Sequence, residues 1–167
     1  GKILLGGVDI KQLSQQKLSE LVGVVLQENI LFSGTVADNL RFGNQEADDE
    51  LLKKALIASS FAEYATTEGL SHLVEQRGSN FSGGQKQRLT IARTLLKMPK
   101  ILILDDASSA LDFATEAALY KRLKTNQHGT TTIIIAQRIN SIKDADLILV
   151  LEKGRLVAQG RHEVLLT

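Results

Sequence analysis

The sequence contains no cysteine, carries almost no net charge and has no long apolar run, and each of these absences excludes a class of protein. Without cysteine the chain can form no disulfide framework and no thiolate nucleophile. Its 20 Lys and Arg residues nearly balance 19 Asp and Glu residues, so neither a polyanion-binding surface nor an acidic tail is indicated. No apolar stretch approaches the ~20 residues of a membrane-spanning helix, and no signal-peptide pattern opens the chain. The 167 residues therefore suit one domain with a buried core.

Short apolar strands alternate with amphipathic helices along the chain, which predicts an α/β fold with a largely parallel sheet. Ile101–Leu104 is apolar throughout, as expected of a strand covered on both faces, and Thr130–Ala136 is interpreted as another buried strand. Residues 59–80 are predicted to be irregular, with one further helix around Phe61–Ala65. The remaining predicted elements are strands at Lys2–Leu5 and Gly23–Leu26, helices at Ser14–Leu21, Asp48–Ala58, Gln85–Lys97 and Ala114–Leu123, and a hairpin of Asp146–Leu151 with Arg155–Ala158.

A glycine-rich segment, Ser82-Gly83-Gly84-Gln85, opens one of these helices. Ser82 suits the N-cap, and the two glycines allow backbone N–H groups to approach a ligand closely. The partial positive charge of the helix N-terminus makes this segment a candidate phosphate site. Taken alone, the same residues also describe an ordinary capped helix after a glycine-rich turn.

Two carboxylates, Asp105 and Asp106, directly follow the apolar strand at Ile101–Leu104. In open α/β sheets, ligands bind at the carboxyl ends of the strands. One carboxylate there can hold Mg²⁺, and the next can orient or deprotonate a water molecule. The alternative for the dipeptide alone is a strand end that is simply polar.

Together, five motifs in one order resemble the nucleotide-binding domain of ABC transporters, and the resemblance covers essentially the whole chain. The signature motif departs slightly, because Phe81 replaces its usual leading Leu. The matching segments are Gln27 for the Q-loop, Phe81 to Gln85 for the signature motif, Leu102 to Asp106 for Walker B, Ser109 to Asp112 for the D-loop, and Ala136-Gln137-Arg138 for the switch loop.

The resemblance implies a P-loop NTPase-like parallel sheet with helices on both faces, plus a helical subdomain that carries the signature motif. Residues 1–27 and 99–167 would form the α/β core, and residues 28–98 would form the helical subdomain. The implied ligands are ATP and Mg²⁺. The implied site residues are Asp106, Gln137 and Gln27 in catalysis, Ser82, Gly83, Gly84, Gln85 and Asp112 on the nucleotide, and Asp105 with Gln27 on the metal.

Two segments favour the exporter branch of the family. Glu75 to Gly78 resembles the loop with which exporter-type domains contact their transmembrane partner, and Leu31 to Leu40 resembles the segment after the Q-loop in the same group. The resemblance therefore implies transmembrane domains and a second ABC ATPase domain as partners, with no nucleic acid. It also implies a location at the cytoplasmic face of a membrane, which we expect to be the plasma membrane.

The P-loop motif Gly-x-x-x-x-Gly-Lys-Ser/Thr does not occur in the sequence. Gly1-Lys2 is followed by Ile and leads into a strand, so it does not supply one. The first residue is Gly and the one Met is Met98. We therefore expect a fragment or processed chain that begins after the P-loop, exposes apolar sheet edges and by itself binds ATP weakly or not at all.

Two residues depart from the family pattern at positions that hydrolysis uses. Asp106 stands where Glu is usual and is one methylene shorter, and Gln137 stands where His is usual and cannot carry an imidazolium charge. Neutral drift with activity retained is one interpretation. The other is the degenerate half of a heterodimeric exporter, in which Ser82 to Gln85 completes the partner's competent site and this chain's own site is slow.

Two further hypotheses remain beside the exporter ATPase. The altered residues are also compatible with a non-hydrolysing nucleotide-binding regulatory module. A chromosome-maintenance or DNA-repair ATPase has a similar signature motif, but no sustained heptads or basic surface support it here. His72, His128 and His162 show no metal-ligand spacing.

Overall fold

A computed structural model describes residues 1–126 and 129–166 of the chain, so His128 lies outside the described residues. Short 3-10 helices occur at Ile10–Gln12, Ala62–Tyr64, Gln76–Gly78 and Ile139–Ser141. The strands are β1 Leu4–Leu5, β2 Val8–Asp9, β3 Val22–Val25, β4 Gly34–Thr35, β5 Leu73–Val74, β6 Ile101–Asp105, β7 Thr131–Ile135, β8 Ile148–Glu152 and β9 Arg155–Gly160. The α-helices are α1 Gln15–Leu21, α2 Val36–Arg41, α3 Asp49–Ala58, α4 Thr67–Leu70, α5 Gly83–Leu95, α6 Phe113–Asn126 and α7 His162–Leu165.

A parallel sheet in the order β3-β6-β7 forms the centre of the α/β part. The register pairs Val25 with Leu104 and Leu104 with Ile134, so the carboxyl ends of all three strands meet at one edge. Separate antiparallel pairs join β1 to β2, β4 to β5 and β8 to β9. The α/β fold with a parallel sheet that the strand and helix pattern predicts is confirmed.

Two hydrophobic clusters hold the described residues together. One lies in the helical part, where Phe61, Leu52 and Leu56 are fully buried. The other lies against the sheet and contains Leu102 and Leu104. Each such side chain contributes roughly 1.5–3 kcal/mol by leaving water. Helix α5, which lies within the predicted helical subdomain of residues 28–98, supplies residues to both clusters, so it packs against the α/β part as well.

Only one face of the parallel sheet is well covered in the described residues. Leu102 and Leu104 are fully buried, whereas Ile101 and Ile103 on the opposite face of β6 are half-buried. The adjacent β7 leaves Ile133 46% and Ile135 52% exposed. This differs from the predicted burial of both strands, because apolar composition reports a preference for burial and not the presence of a covering layer. The exposed apolar surface is thus a face of the sheet, whereas the sequence predicts exposed apolar edges.

Three local predictions differ from the structure. Helix α5 ends at Leu95 and not at Lys97, because the chain turns through Met98 in a left-handed conformation (φ 48°) just before Pro99. Residues 59–80 are not irregular but contain α4, β5 and two 3-10 turns, one of them at Ala62–Tyr64 near the predicted helix. Helix α6 extends beyond the predicted Ala114–Leu123 at both ends.

The predicted hairpin forms from β8 and β9, with Lys153 and Gly154 both at positive φ in the turn. This is the combination that two-residue hairpin turns require. Within the described ranges, 1–126 and 129–166, no helix has the length and apolarity needed to span a membrane.

Candidate functional site

The carboxyl edge of the parallel sheet brings Gln27 and Asp106 together. Gln27 follows β3 and Asp106 follows β6, and the Gln27 side-chain Nε2 donates to Asp106 Oδ2 over 3.2 Å. Parallel pairing of the two strands places their ends side by side, although 79 residues separate these positions in the chain. The sequence-predicted site residues Gln27 and Asp106 therefore share one polar edge.

Hydrogen bonds to its backbone hold Asp106 in place, in addition to the hydrogen bond that its side chain accepts from Gln27. It has a left-handed conformation (φ 48°), which costs roughly 1 kcal/mol or more outside glycine and is tolerated by Asp better than by most residues. Its N–H donates to Ile135 O at the end of β7 (2.9 Å), and its own carbonyl accepts from Ser109 Oγ (2.9 Å). The backbone thus fixes the direction in which the carboxylate leaves the sheet.

Asp105 and Gln137 lie at the same edge. Asp105 is the last residue of β6 and pairs with Ile135 of β7, and Gln137 follows two residues later with an exposed side chain. Among the residues that the structure describes, no three His, Cys, Asp or Glu side chains form a cluster suited to a metal. A divalent cation at this edge would therefore rely on Asp105, the Gln27 amide and oxygen atoms of its substrate.

The Ser82–Gln85 segment forms the N-terminus of α5 through a capping box. Ser82 Oγ accepts from the Gln85 backbone N–H (3.3 Å), and Gln85 Oε1 accepts from the Ser82 N–H (2.8 Å). This reciprocal pair satisfies two of the helix's otherwise unpaired donors. The predicted N-cap is confirmed. Because both side chains already serve the cap, phosphate binding here would depend mainly on the remaining backbone N–H groups.

Gly83 and Gly84 pack closely against the loop 109–112, where a side chain would be tight. A Cβ at Gly84 would lie 3.0 Å from Ala110 O and 3.1 Å from Leu111 Cδ2, and one at Gly83 would lie 3.2 Å from Ala110 Cβ. Gly83 is nevertheless exposed. The glycines therefore have a packing role in this chain in addition to any ligand role.

Phe81, the departure at the start of the signature motif, is buried in an aromatic cluster. Its ring lies 5.5 Å from Tyr64, 5.6 Å from His72 and 6.4 Å from Phe61, centroid to centroid. Ring pairs at these separations contribute about 0.5–1.5 kcal/mol each beyond their buried area. Phe81 therefore anchors the start of α5 to the helical part of the protein.

Asp112 serves as a helix cap. Its Oδ1 accepts from the Thr115 N–H (2.9 Å) and its Oδ2 accepts from Thr115 Oγ1 (2.7 Å) at the start of α6. The hydrogen bonds from the Thr115 side chain and backbone hold the pKa of the Asp112 carboxyl below its ordinary value. The nucleotide-binding role assigned to Asp112 by resemblance would have to coexist with this cap.

Three residues beyond the predicted set organise the site: Gln87, Arg138 and Glu116. Gln87 is buried in α5 and links it to the loop 109–112, since its Nε2 donates to Ser109 Oγ and its Oε1 accepts from the Ala110 N–H, both over 3.1 Å. Arg138 and Glu116 join the loop after β7 to α6 (3.4 Å). Polar residues on otherwise apolar helix faces are the sequence signal that would have indicated Gln87 and Glu116.

The donor set fits Mg²⁺ and a nucleotide. Two carboxylates and an amide occupy a sheet edge where oxygen ligands suit Mg²⁺, and the 13-residue helix α5 begins with a Gly83-Gly84 pair that leaves its first backbone N–H groups close to the surface. This combination is typical of nucleotide-binding α/β domains.

Comparison with known proteins agrees with this class. The family model of ABC transporters matches residues 1–109. The chain is 46% identical over 170 residues to ABC transporter B family member 6 of Dictyostelium discoideum, covering 99% of the chain and 25% of the relative. It is 41% identical over 168 residues to the probable multidrug resistance ABC transporter ATP-binding/permease protein YheI of Bacillus subtilis, covering 99% of the chain and 29% of the relative.

A solved structure of a bacterial Atm1-family ABC exporter with ATP bound superposes with a TM-score of 0.93 and 40% identity, over 99% of this chain and 30% of that one. The chain belongs to the ABC transporter family. It spans between 25% and 29% of the length of the two relatives above, which are much longer proteins.

Proposed function

We propose that the chain is part of the ATP-binding domain of an exporter-type ABC transporter, where ATP binding with Mg²⁺ drives transport across a membrane. The observation that carries this proposal is the hydrogen bond between Gln27 and Asp106 at the carboxyl edge of the sheet. It joins the two motifs that the family uses around a nucleotide. The exporter character is supported by relatives described as export or multidrug resistance ATP-binding/permease proteins.

Each site residue has a role that its chemistry permits. Bound Mg²⁺ would neutralise phosphate charge, and Asp105 with the Gln27 amide would hold it. Asp106 accepts a hydrogen bond from Gln27 and can orient a water molecule from the same edge. Gln137 can donate a hydrogen bond to a terminal phosphate from its exposed position after β7.

The chain's own site is the slow half of a heterodimer in this proposal. Asp106 reaches one methylene less far than Glu, and a misplacement of about 1 Å can cost ~100-fold in rate. Gln137 supplies no positive charge. The N-terminus of α5, by contrast, has an intact capping box, so Ser82 to Gln85 can complete the site of a second ABC domain.

The partners follow from the same assignment. Transmembrane domains and a second ABC domain would flank this one at the cytoplasmic face of a membrane, by expectation the plasma membrane. The loop Glu75 to Gly78 would meet a partner, and Asn80 ties its first residue to the body of the protein: Asn80 Oδ1 accepts from the Glu75 N–H (3.0 Å) and Asn80 Nδ2 donates to Leu73 O (2.8 Å).

The test restores both altered residues in the full-length transporter with its partner chain. We expect Asp106→Glu combined with Gln137→His to raise single-turnover ATP hydrolysis at this site by about tenfold or more, because a longer carboxylate and an ionisable imidazole return. The matched control makes the same chemical changes on the surface, Asp49→Glu with Gln45→His, and should leave turnover unchanged. Absence of any gain in the first pair contradicts the slow-site assignment.

A non-hydrolysing regulatory module is the second candidate, and the same two residues favour it. It predicts stoichiometric Mg-ATP binding by the full-length protein with no hydrolysis at this site, both before and after restoration of Glu and His. Assays with and without the second ABC subunit separate it from the exporter ATPase, whose turnover requires the partner.

A further inference from the structure

Glu116 carries the one buried charge among the described side chains, and three donors converge on it. The residue lies in α6 and is 3% exposed. Its carboxylate accepts hydrogen bonds from Ser108 Oγ and from Ser141 Oγ (2.6 Å), and it pairs with Arg138 Nη1 (3.4 Å). The three partners come from two different loops, the one after β6 and the one after β7.

Arg138 divides its guanidinium between Glu116 and the loop after β6. Nη1 also donates to Leu111 O and Nη2 donates to Ser109 O, both over 3.1 Å, and the guanidinium carbon lies 5.2 Å from the centre of the Phe113 ring. A planar fork with several fixed donors is suited to hold two carbonyls and a carboxylate at once, which a Lys ammonium cannot reproduce. Arg138 thereby clamps the loop 109–112 from one side.

The hydroxyl groups around Glu116 complete the network. Ser108 has one proton and donates it to Glu116, so the contact of 3.1 Å between Ser108 Oγ and Tyr120 Oη requires Tyr120 to be the donor. Burial, with the nearby charge of Glu116, raises the pKa of Tyr120, which keeps that proton in place. A buried polar network in which every member is paired holds its parts in one arrangement.

The clamped loop 109–112 also contacts the start of α5. Gln87 binds it from the other side through Ser109 and Ala110, and Gly84 packs against Ala110. A continuous set of contacts therefore runs from the backbone beside Gln137, through Arg138 and the loop 109–112, to the helix that begins at Ser82.

We propose that Glu116 and Arg138 are positioning residues that lock the loop carrying Gln137 onto the loop 109–112 and thereby tie the sheet-edge site to the N-terminus of α5. This inference rests on the proposed function, in which those two regions serve two different ATP sites of a dimer. Because of this lock, a shift of residue 137 would also shift the N-terminus of α5, and a shift of that terminus would move residue 137. Neither Glu116 nor Arg138 needs to touch the nucleotide.

The direct test measures the position of the loop without reference to nucleotide. In the full-length transporter, with any other cysteine replaced, spin labels at Ala114→Cys on α6 and Asn140→Cys on the loop are exposed and flank the lock. We expect a narrow distance distribution in the parent and a distribution at least twice as broad in Glu116→Gln. Arg138→Lys should broaden it equally, which guards against a folding defect peculiar to one variant. An unchanged distribution in both variants overturns the proposal.

The functional test separates positioning from simple stabilisation. We expect Glu116→Gln and Arg138→Lys each to speed release of Mg-ATP from this site by about fivefold or more, with the association rate within about twofold of the parent. The double variant should lose no more than either single variant, because the two residues act as one unit. Glu50→Gln removes an exposed ion pair with Lys53 (2.9 Å) on α3 and serves as the matched control.

The outcomes separate a failure of the proposed function from a failure of the proposed lock. If the parent binds no Mg-ATP, the proposed function fails, while the label distances still report on the lock. If the parent binds Mg-ATP and both variants release it at the parental rate, the lock has only a structural role and the inference is overturned. Additive losses in the double variant would also contradict it.

Discussion

Asp106 shows how much a single residue depends on its backbone. The sequence identifies a carboxylate one methylene shorter than the usual Glu, but the left-handed φ of 48° and the hydrogen bond to Ile135 O determine where that carboxylate points. Asp is among the few residues that accept this conformation with a modest penalty, whereas Glu gains less from local hydrogen bonding. An Asp106→Glu variant therefore places its carboxylate correctly only if the backbone keeps this left-handed conformation. The hydrogen bond from Ser109 Oγ to the carbonyl of residue 106 favours that conformation.

A second prediction also concerns a single residue, Gly43. A Cβ at this position would lie 2.0 Å from Arg93 O, a backbone atom inside the packed part of the protein. We expect Gly43→Ala to lower the free energy of unfolding by ~3 kcal/mol, at the upper end of overpacking costs, because neither backbone can move away cheaply.

Urea titration of the 167-residue chain measures this effect. Gly160→Ala is the control, since its nearest neighbour would lie at 3.4 Å, an ordinary contact. Equal midpoints for Gly43→Ala and the parent would show that the two segments do not approach as described.

Helix α5 is the element on which the site depends most. Its start carries the capping box, its buried face supplies both hydrophobic clusters, and Gln87 reaches the loop 109–112. The sequence predicts its N-cap and apolar face, because both are local patterns of 3.6-residue period. The contact of Gln87 with a loop more than twenty residues further on is not a local pattern, and the sequence alone does not reveal it.

Helix α6 provides a pH-dependent prediction through its cap. The native pKa of Asp112 is lowered, so its contribution to stability is present above the unfolded pKa of about 3.9 and is lost as the pH falls through the native pKa. Asn also caps helices but does not titrate. We therefore expect Asp112→Asn to have a urea midpoint similar to the parent at pH 7 and a weaker decline as the pH falls from about 4 to about 2.

Far-UV circular dichroism during urea unfolding at each pH measures this difference. A parallel decline in parent and variant would exclude Asp112 as a titrating cap. Asp38, whose pKa is also lowered by its bonds to Thr35 in the capping box of α2, remains in both proteins and supplies the common background.

At the level of the whole molecule, the main feature of the described residues is an apolar face of the parallel sheet that is exposed to solvent. Val24, Ile103 and Ile133 are in register across β3, β6 and β7, and the first and last of these are each 46% exposed. An exposed apolar surface with an unpaired strand edge favours association with other chain segments. The sequence also contains no P-loop motif. Among the described residues, the carboxyl edge of this sheet therefore has carboxylates but no P-loop backbone to hold phosphates.

We expect the 167-residue chain by itself to bind Mg-ATP weakly or not at all, with a dissociation constant in the millimolar range or above. The physical reason is that the carboxylates at the sheet edge would repel the phosphates unless Mg²⁺ is bound, and the sequence contains no P-loop to cradle them. Isothermal titration calorimetry measures the affinity, with the full-length protein as the positive control. A micromolar affinity for the isolated chain would contradict this expectation.

The fold class, the order of the main strands and helices, and the motifs at the sheet edge and at the start of α5 follow from the sequence, whereas Gln87, Arg138 and Glu116 do not. Nor do the position of helix ends and the burial of β7. Helix α5 stops at Leu95, short of the predicted Lys97, because the chain must turn through Met98 to enter β6. Ile133 and Ile135 carry the composition of buried residues, but their exposure depends on which elements lie above them.

The available chemical groups can be read directly from the sequence: a capped glycine-rich helix start, two carboxylates after an apolar strand, and Asp and Gln where Glu and His are usual. These are local patterns, set by neighbouring residues and readable from their spacing. Which of these groups meet depends on how the folded chain packs. Gln27 reaches Asp106 across 79 residues, and Arg138 reaches Glu116 across 22, because parallel strand pairing and helix packing bring distant segments to one edge. Such contacts depend on the whole fold, and the sheet edge therefore became a site only once the strands were paired.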